Sequence, residues 1–473
     1  MAKPQNTLRP FGWRDKLGYA MGDMGCGFSF QLVSTFMQLF YMQYIGIPET
    51  AYGIIIILSK VFDAINDVVI GNLVDTKKIS KKSKYMPWIL IGAVTLIVFN
   101  VMLFAPVNSI VADWGEKSAI WFKYGWCLVT YCLWSISYTM INVPYGSLHS
   151  VITDNPQEKV SLSTFRSVGA ALPAIVIMMI LPKIVYDENE NLKGETLLPV
   201  AIVLSLVALA VLWGTTKLVT ERVEHKSTEN SVGFKAMISS TKSFFTNRAM
   251  VGATIASVAL VALFNSTMAL NNMVFQYHFN DTDKMGIAMI GSYAPMVVFM
   301  LFTGKLTKKF GKKKVLETLM LVSTISGLIA CFVPIGTGNA GMVIYIICLM
   351  GLNIGNAVFQ ISVWAIIADC IEISYRKTGK SEEGSLYAIY SFFRKLAQGI
   401  GQAAVALGLS MINFNSGENA IQSDDFGIKV KTLYFVILAV GSLIAFISFK
   451  FIYNVDKKAE DAFVEESKQK VNS

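Results

Sequence analysis

The chain is poor in charge and in histidine. Only 15% of its 473 residues are charged and three are histidine, whereas 53% are hydrophobic. Soluble proteins average roughly 25% charged residues, so this composition argues against a soluble enzyme and excludes a disordered chain. Six cysteines are scattered through the sequence without paired spacing, which excludes a small disulfide-built secreted module.

Long apolar runs fill most of the chain instead. A helix that crosses a bilayer needs about 17–25 mostly apolar residues. Twelve such runs can be counted, the first at 17–45 and the last at 431–453. We therefore predict an all-α polytopic membrane protein with twelve transmembrane helices.

The basic residues indicate an orientation. The net charge is +9, and lysines cluster in the predicted loops 77–84 and 305–314. Because Lys and Arg concentrate on the cytoplasmic side of membranes, these loops and both termini are expected in the cytoplasm. We interpret the lysines as topology and lipid contacts, with the bilayer as partner and no nucleic acid.

The two halves of the chain repeat weakly. Phe165-Arg166 in the fifth run matches Phe393-Arg394 in the eleventh. We predict six-helix bundles at 1–218 and 249–453, a cytoplasmic middle loop at 219–248 and a cytoplasmic tail at 454–473. Two such halves that share a site at the membrane midplane are a transporter architecture.

The second run carries three charges at helical spacing. Lys60, Asp63 and Asp67 fall within about 60° of one another on one helix face. Two carboxylates this close repel each other when both are ionised, and a bound proton or metal cation relieves that repulsion. The alternative is an internal salt bridge between Lys60 and Asp63 that only stabilises packing.

Other polar residues are expected to line the interior. Asp23 lies in a glycine-rich stretch, either as an acceptor for sugar hydroxyls or as a partner of Arg166. Hydroxyls and amides recur in the fourth, tenth and eleventh runs, at Ser135, Tyr138, Thr139, Asn142, Tyr145, Asn356, Gln360, Tyr387, Gln398 and Gln402. Together they suit a polyhydroxylated solute, although each one alone is explained by hydrogen bonds between helices.

Several motifs resemble one family of carriers. The run Lys60-Val-Phe-Asp63-Ala-Ile-Asn-Asp67 is similar to that of the glycoside–pentoside–hexuronide:cation symporters, the melibiose permease family of the major facilitator superfamily. The resemblance covers essentially the whole chain and includes Pro87-Trp88, Phe165-Arg166 and Phe393-Arg394-Lys395. Asn142-Val-Pro-Tyr-Gly-Ser-Leu is most similar to the form found in glucuronide and isoprimeverose carriers.

The resemblance implies roles for individual residues. Asp63 and Asp67 would hold the cation, with Lys60 and Asn142 tuning them, and would be metal ligands only if the cation is Na⁺. The expected sugar-binding residues are Asp23, Thr139, Asn142, Arg166, Gln360 and Lys395. Gln360 stands where the melibiose permease has a sugar-contacting tryptophan.

One departure from the family bears on the coupling ion. Asn142 occupies the position at which the melibiose permease has a third acid, so Na⁺ would be held less strongly and H⁺ is favoured. We predict a monomeric secondary active symporter of the cell membrane that moves a glycoside, pentoside or hexuronide with H⁺ or Na⁺. It would need no cofactor. The alternatives are a lysolipid symporter of the same fold and, less favoured, a membrane-embedded enzyme.

Overall fold

The structure, a computed structural model, describes residues 9–77, 79–80, 83–153, 156–222, 241–378, 383–417 and 420–458. Lys78, Lys81 and Lys82 of the first basic loop, residues 223–240 of the predicted middle loop and residues 459–473 of the predicted tail lie outside the described residues. The chain divides into two compact units. Unit 1 is Met1–Gly233 with Asn415–Ile421, and unit 2 is Phe234–Phe414 with Gln422–Ser473.

Within the described ranges, each unit contains six long helices. Those of unit 1 are α1 (Trp13–Leu39), α2 (Glu49–Thr76), α3 (Met86–Leu103), α4 (Glu116–Ile152), α5 (Pro156–Met179) and α6 (Gly194–Leu218). Those of unit 2 are α7 (Arg248–Ser266), α8 (Ala288–Phe310), α9 (Lys312–Phe332), α10 (Asn339–Thr378), α11 (Glu383–Met411) and α12 (Phe426–Ile447). Short π-helical turns extend α1 and α12, at Phe40–Tyr44 and Ser448–Ile452, and after α7 a short helix at Met268–Val274 leads into a third π-helical turn at Phe275–Phe279.

The prediction of an all-α membrane protein is confirmed. The described part of the chain contains no β-strand beyond one isolated bridge between Tyr186 and Leu192. Eight of the twelve long helices are apolar and long enough to cross a membrane. The other four are α1, α2, α4 and α11, and they carry most of the polar and charged residues that the sequence suggests for the interior, whereas Arg166 lies on α5 and Gln360 on α10.

The two units use the same helix pairings. In unit 1, α1 packs on α5 and α6, α4 packs on α2 and α3, and α3 also packs on α6. In unit 2, α7 packs on α11 and α12, α10 packs on α8 and α9, and α9 also packs on α12. Because each contact recurs six helices later, the units are pseudo-symmetric bundles, as the sequence repeat predicts.

A glycine sets the separation of α1 and α5. A Cβ atom at Gly169 would lie 2.1 Å from the carbonyl oxygen of Ala20, which is closer than any real contact. Small residues at such crossings let two membrane helices approach closely. Gly169 therefore holds α5, and with it Arg166, directly against α1.

A buried carboxylate joins the start of α1 to the end of α6. Asp15 is fully buried, and its oxygens lie 2.8 Å from Nη2 of Arg9 and 2.8 Å from Nη2 of Arg222. The backbone N–H of Thr220 donates to the same carboxylate at 3.1 Å. Arg222 also donates to the carbonyl oxygen of Ile152 at the end of α4. This network fixes one end of unit 1.

Candidate functional site: acids on α2 and an ion pair beside α4

On α2, the acidic side chains and the exposed apolar side chains lie on different faces of the helix. Large apolar side chains recur at helical spacing and are exposed, at Ile54, Leu58, Val61, Ile65 and Val69. Asp63 and Asp67 are half-buried on other faces, and Lys60 is buried. The acids therefore point into unit 1 and do not replace apolar residues on its outer stripe.

Hydroxyls of α4 support both acids. The Ser135 hydroxyl donates to Oδ1 of Asp63, and the Thr139 hydroxyl donates to Oδ1 of Asp67 at 2.8 Å. Both pairs are separated by 72 residues, so α2 and α4 run parallel and in register. Hydrogen bonds to an ionised carboxylate are stronger than those between neutral groups, and this arrangement holds the two acids in fixed positions.

Lys60 does not neutralise the acids through a salt bridge. Its ammonium lies 5.3 Å from the ring centroid of Tyr131, one turn before Ser135 on α4. Among the described residues, no carboxylate lies within 4.0 Å of this ammonium. The internal Lys60–Asp63 salt bridge that the sequence offered as an alternative is therefore not formed.

Two amides next to the acids are not satisfied by the protein. Nδ2 of Asn66 is buried and has no hydrogen-bond acceptor in the described structure. The Asn142 side chain, one turn beyond Thr139, is half-buried and makes no hydrogen bond with the described residues. A buried polar group without a partner is uncommon in proteins, so the amide of Asn66 marks a place where a polar ligand can bind.

Asp23 lies beside Arg166. Oδ1 of Asp23 and Nε of Arg166 are 3.4 Å apart, and the two side chains are 17% and 42% exposed. The structure thus forms the ion pair that the sequence left open for Asp23. A single contact of this length leaves most of the hydrogen-bonding capacity of both groups for a ligand.

Tyr145 of α4 positions this ion pair. Its ring lies 5.3 Å from Cζ of Arg166 and stacks on Tyr19, and its hydroxyl donates to the Tyr19 carbonyl oxygen at 2.7 Å. The ring fits because residue 22 is glycine, where a Cβ would lie only 2.2 Å from the ring. The Gly22-Asp23 pair on α1 therefore makes room for Tyr145 and places the acid beside it.

Two of the predicted sugar-binding residues belong to unit 2. Gln360 lies on α10 and Lys395 on α11, and both are half-buried. Unit 1 thus brings together two groups. The first contains Lys60, Asp63, Asp67 and Thr139, and the second contains Asp23 and Arg166 with the tyrosines around them.

Sequence reasoning did not assign Tyr131 or Asn66 to the cation site, and it listed Ser135 only among the polar residues expected to line the interior. One signal was present, because Tyr131, Ser135 and Thr139 recur every four residues on α4. This spacing parallels that of Lys60, Asp63 and Asp67 on α2. The register between the two helices, however, depends on how they pack. Thr139, which we expected on the sugar side, contacts the Asp67 carboxylate.

Comparison with known sequences finds a matching protein family and several similar relatives. The sequence model of the family described as MFS/sugar transport protein matches residues 18–457. The chain is 28% identical to an uncharacterized symporter of Bacillus subtilis (strain 168), with 98% of this chain and 97% of the relative covered. It is 25% identical to a glucuronide carrier protein homolog of Escherichia coli (strain K12), covering 96% and 95%. It is also 25% identical to an isoprimeverose transporter of Lactiplantibacillus pentosus, covering 94% and 89%.

Solved structures share the fold. A mutant of a nucleoside transporter matches with a TM-score of 0.64 at 12% identity, over 93% of this chain and all of the other (100%). A D-xylose-proton symporter matches with a TM-score of 0.59 at 14% identity, over 93% and 97%. At such identities the likeness concerns the arrangement of helices alone.

Proposed function

The chain belongs to the MFS/sugar transport protein family, and we propose that it is a symporter that moves a sugar or glycoside into the cell together with H⁺. As a multi-pass membrane transporter of this family it is not an enzyme. Relatives named for a glucuronide and for isoprimeverose support a sugar or glycoside as cargo. We place it in the cell membrane, and the lysine-rich loops favour an orientation with both termini in the cytoplasm.

The register of α2 and α4 carries the proposal. Asp63 and Asp67 lie one helical turn apart and are held by hydroxyls, and Lys60 contacts a ring. An ionised side chain at the centre of a bilayer costs about 2.5–3.5 kcal/mol on insertion scales, and neighbouring carboxylates also repel each other. A cation at Asp63 and Asp67 offsets both costs, so the pair favours the ion-bound state.

The number of oxygen ligands at the site favours a proton over Na⁺ as the coupling ion. A proton needs one carboxylate, whereas Na⁺ prefers a set of several oxygen ligands. Asn142 contributes no third acid, and within the described residues no three His, Cys, Asp or Glu side chains are grouped to hold a metal ion. If Na⁺ were carried instead, Asp63, Asp67 and the Thr139 hydroxyl would be its ligands. No cofactor is needed.

The sugar is assigned to the groups that retain hydrogen-bonding capacity. On unit 1 these are Asp23, Arg166 and Asn142, which can donate to and accept from sugar hydroxyls. On unit 2 the candidates are Gln360 and Lys395, which the resemblance to the family indicates. We further propose that one chain is sufficient, because each unit supplies its own part of the binding groups.

Coupling follows from the difference in affinity between states. When the acids are ionised, a closed and dehydrated site is unfavourable, because buried charge is costly. Binding of the cation and the sugar satisfies the polar groups and lets the carrier change between inward-open and outward-open states. This is a coupling free energy between two ligands, which is reciprocal.

The proposal is tested with purified protein in proteoliposomes. An inward H⁺ or Na⁺ gradient is imposed, and a panel of glycosides, pentosides and hexuronides is added while internal pH and sugar content are recorded. We expect one sugar class to be accumulated together with acidification of the lumen. Asp67→Asn should abolish accumulation against a gradient but retain exchange of internal for external sugar.

The matched control is Asp113→Asn, which removes one carboxylate from the exposed connection before α4. It should accumulate sugar as the wild type does. If Asp67→Asn also accumulates sugar at the wild-type level, the cation assignment is wrong. Sugar uptake that no ion gradient drives would remove the symport proposal itself.

A further inference from the structure

Arg394 on α11 is a cation held by aromatic rings. Its Cζ lies 5.3 Å from the Trp364 ring centroid and 5.7 Å from that of Tyr390. The Tyr390 hydroxyl is hydrogen-bonded to that of Ser257 on α7 at 2.9 Å. The side chain is half-buried, and no carboxylate among the described residues lies within 4.0 Å of it. Arg394 therefore has rings beside it but no counter-ion.

Arg166, the equivalent of Arg394 in unit 1, differs because it has an acidic partner. Phe165-Arg166 and Phe393-Arg394 are equivalent in the repeat, and each arginine lies about three turns after the start of its helix. Arg166 contacts a ring of α4 and Asp23 of α1. Arg394 contacts a ring of α10, the helix equivalent to α4, but α7, the helix equivalent to α1, contains no acid.

The helices of unit 2 contain few acids that could compensate the positive charge of Arg394. None occurs in α7, α8 or α12, and Glu317 and Glu383 stand near the starts of α9 and α11. Asp369 and Glu372, near the end of α10, are paired with Lys312 and Arg376. The interior acids of the chain, Asp23, Asp63 and Asp67, are all in unit 1. Among the described residues of its unit, no carboxylate therefore matches the positive charge of Arg394.

We propose that Arg394 binds an anionic group of the transported sugar and makes the carrier select acidic over neutral sugars. The inference rests on the proposed function, because it assigns Arg394 to the cargo of that transporter. A guanidinium has donors in a planar fork that match the oxygens of a carboxylate or sulfonate. The rings of Trp364 and Tyr390 hold the fork in place by cation–π contacts, so little side-chain freedom is lost when the anion binds.

The alternative is that Arg394 only fastens α10 to α11 through its rings. A purely structural arginine would affect all sugars equally when replaced, whereas an anion-binding arginine would affect only the acidic ones. The discriminating measurement is therefore a ratio of affinities for sugars that differ in one charged group.

The test uses methyl β-glucoside, methyl β-glucuronide and the corresponding 6-sulfonate, with the galacto-configured set in parallel. Equilibrium binding to purified protein and gradient-driven uptake into proteoliposomes are both measured. We expect the wild type to bind a carboxylate or sulfonate sugar at least tenfold more tightly than its neutral partner. Arg394→Gln should weaken that binding about tenfold or more, the loss expected for hydrogen bonds to a charged group, and should leave neutral-sugar binding within about twofold.

Two further variants complete the experiment. Arg394→Lys keeps the charge but loses the fork, so its affinity for the acidic sugar should fall between those of the wild type and Arg394→Gln. Arg376→Gln, which removes an arginine paired with Glu372 near the end of α10, should leave both affinities unchanged.

The outcomes separate this inference from the proposed function. Accumulation of neutral sugars without preference for acidic ones, or equal losses for both in Arg394→Gln, overturns the role of Arg394 while symport stands. Selective binding of an acidic sugar that depends on Arg394, without any ion-driven uptake, supports the inference and removes the symport proposal. Binding of no sugar in the set overturns the inference.

Discussion

Replacing Thr139 by valine should reveal which cation the acids bind. The Thr139 hydroxyl is buried and donates to Asp67 at 2.8 Å. Valine has a similar shape but lacks the donor oxygen. A hydrogen bond to a charged group contributes about 1.5–3 kcal/mol. Since about 1.4 kcal/mol corresponds to a tenfold change in an equilibrium constant, ion affinity should change roughly ten- to a hundredfold.

The sign of the change depends on the ion. If the cation is a proton, the hydroxyl stabilises the ionised form of Asp67 and opposes protonation. Thr139→Val then binds the proton more tightly, and the midpoint of sugar uptake against pH moves up by about one to two units. If the cation is Na⁺, the hydroxyl oxygen can serve as a ligand, and its loss raises the Na⁺ concentration needed for half-maximal uptake.

The assay is initial sugar uptake into proteoliposomes, measured against pH without Na⁺ and against Na⁺ at fixed pH. Thr130→Val is the matched control, because Thr130 is a buried threonine of the same helix whose hydroxyl donates to the Trp126 carbonyl oxygen at 2.7 Å. It loses the same atom without touching an acid. Unchanged pH and Na⁺ dependence in Thr139→Val, or equal shifts in both variants, would refute the assignment of the hydroxyl to the ion site.

Two stability predictions follow from the packing of unit 1. Asp15→Asn removes a fully buried charge from two arginines at 2.8 Å each and should lower the free energy of unfolding by about 3–5 kcal/mol. The loss would appear as a lower thermal unfolding midpoint in detergent. The control is Asp425→Asn, at an exposed ion pair, which should leave the midpoint unchanged. If both variants melt alike, the Asp15 network does not stabilise the unit. Gly169→Ala places a Cβ 2.1 Å from the Ala20 carbonyl oxygen and should cost about 1–3 kcal/mol by overpacking, with weaker sugar binding because α5 carries Arg166. Gly146→Ala, where nothing lies within 4 Å, should be harmless, and equal effects of the two substitutions would remove the close-packing argument.

The fold could be predicted because each helix that crosses a bilayer needs a long run of apolar residues, and such runs are visible in the sequence. The ends of some helices could not. Hydropathy alone places the tenth apolar run at 342–368, whereas the helix that contains it, α10, continues to Thr378 in the structure. Beyond residue 368 this helix carries Asp369, Glu372 and Arg376, which form ion pairs. Hydropathy does not distinguish a polar helical extension from a loop, since both leave the apolar part of the membrane.

The site could be predicted in part. Helical periodicity alone places Lys60, Asp63 and Asp67 near one face of α2. It does not say which helix meets that face or at what register, and these decide that Asp67 contacts Thr139 while Lys60 contacts Tyr131. For the same reason the choice between the two partners offered for Asp23 needed the packing of α1 against α5.

The α4 helix connects the two groups of unit 1 physically. Thr139 contacts Asp67, and Tyr145, six residues later, packs against Arg166 and Tyr19. Six helical residues span about 9 Å, and Asn142 lies between the two contacts. A change in the charge of Asp67 and a ligand on the Asp23–Arg166 pair therefore act on neighbouring turns of one helix. Coupling between ion and sugar can arise there from local contacts, because both ligands bias the position and hydrogen bonding of the same segment.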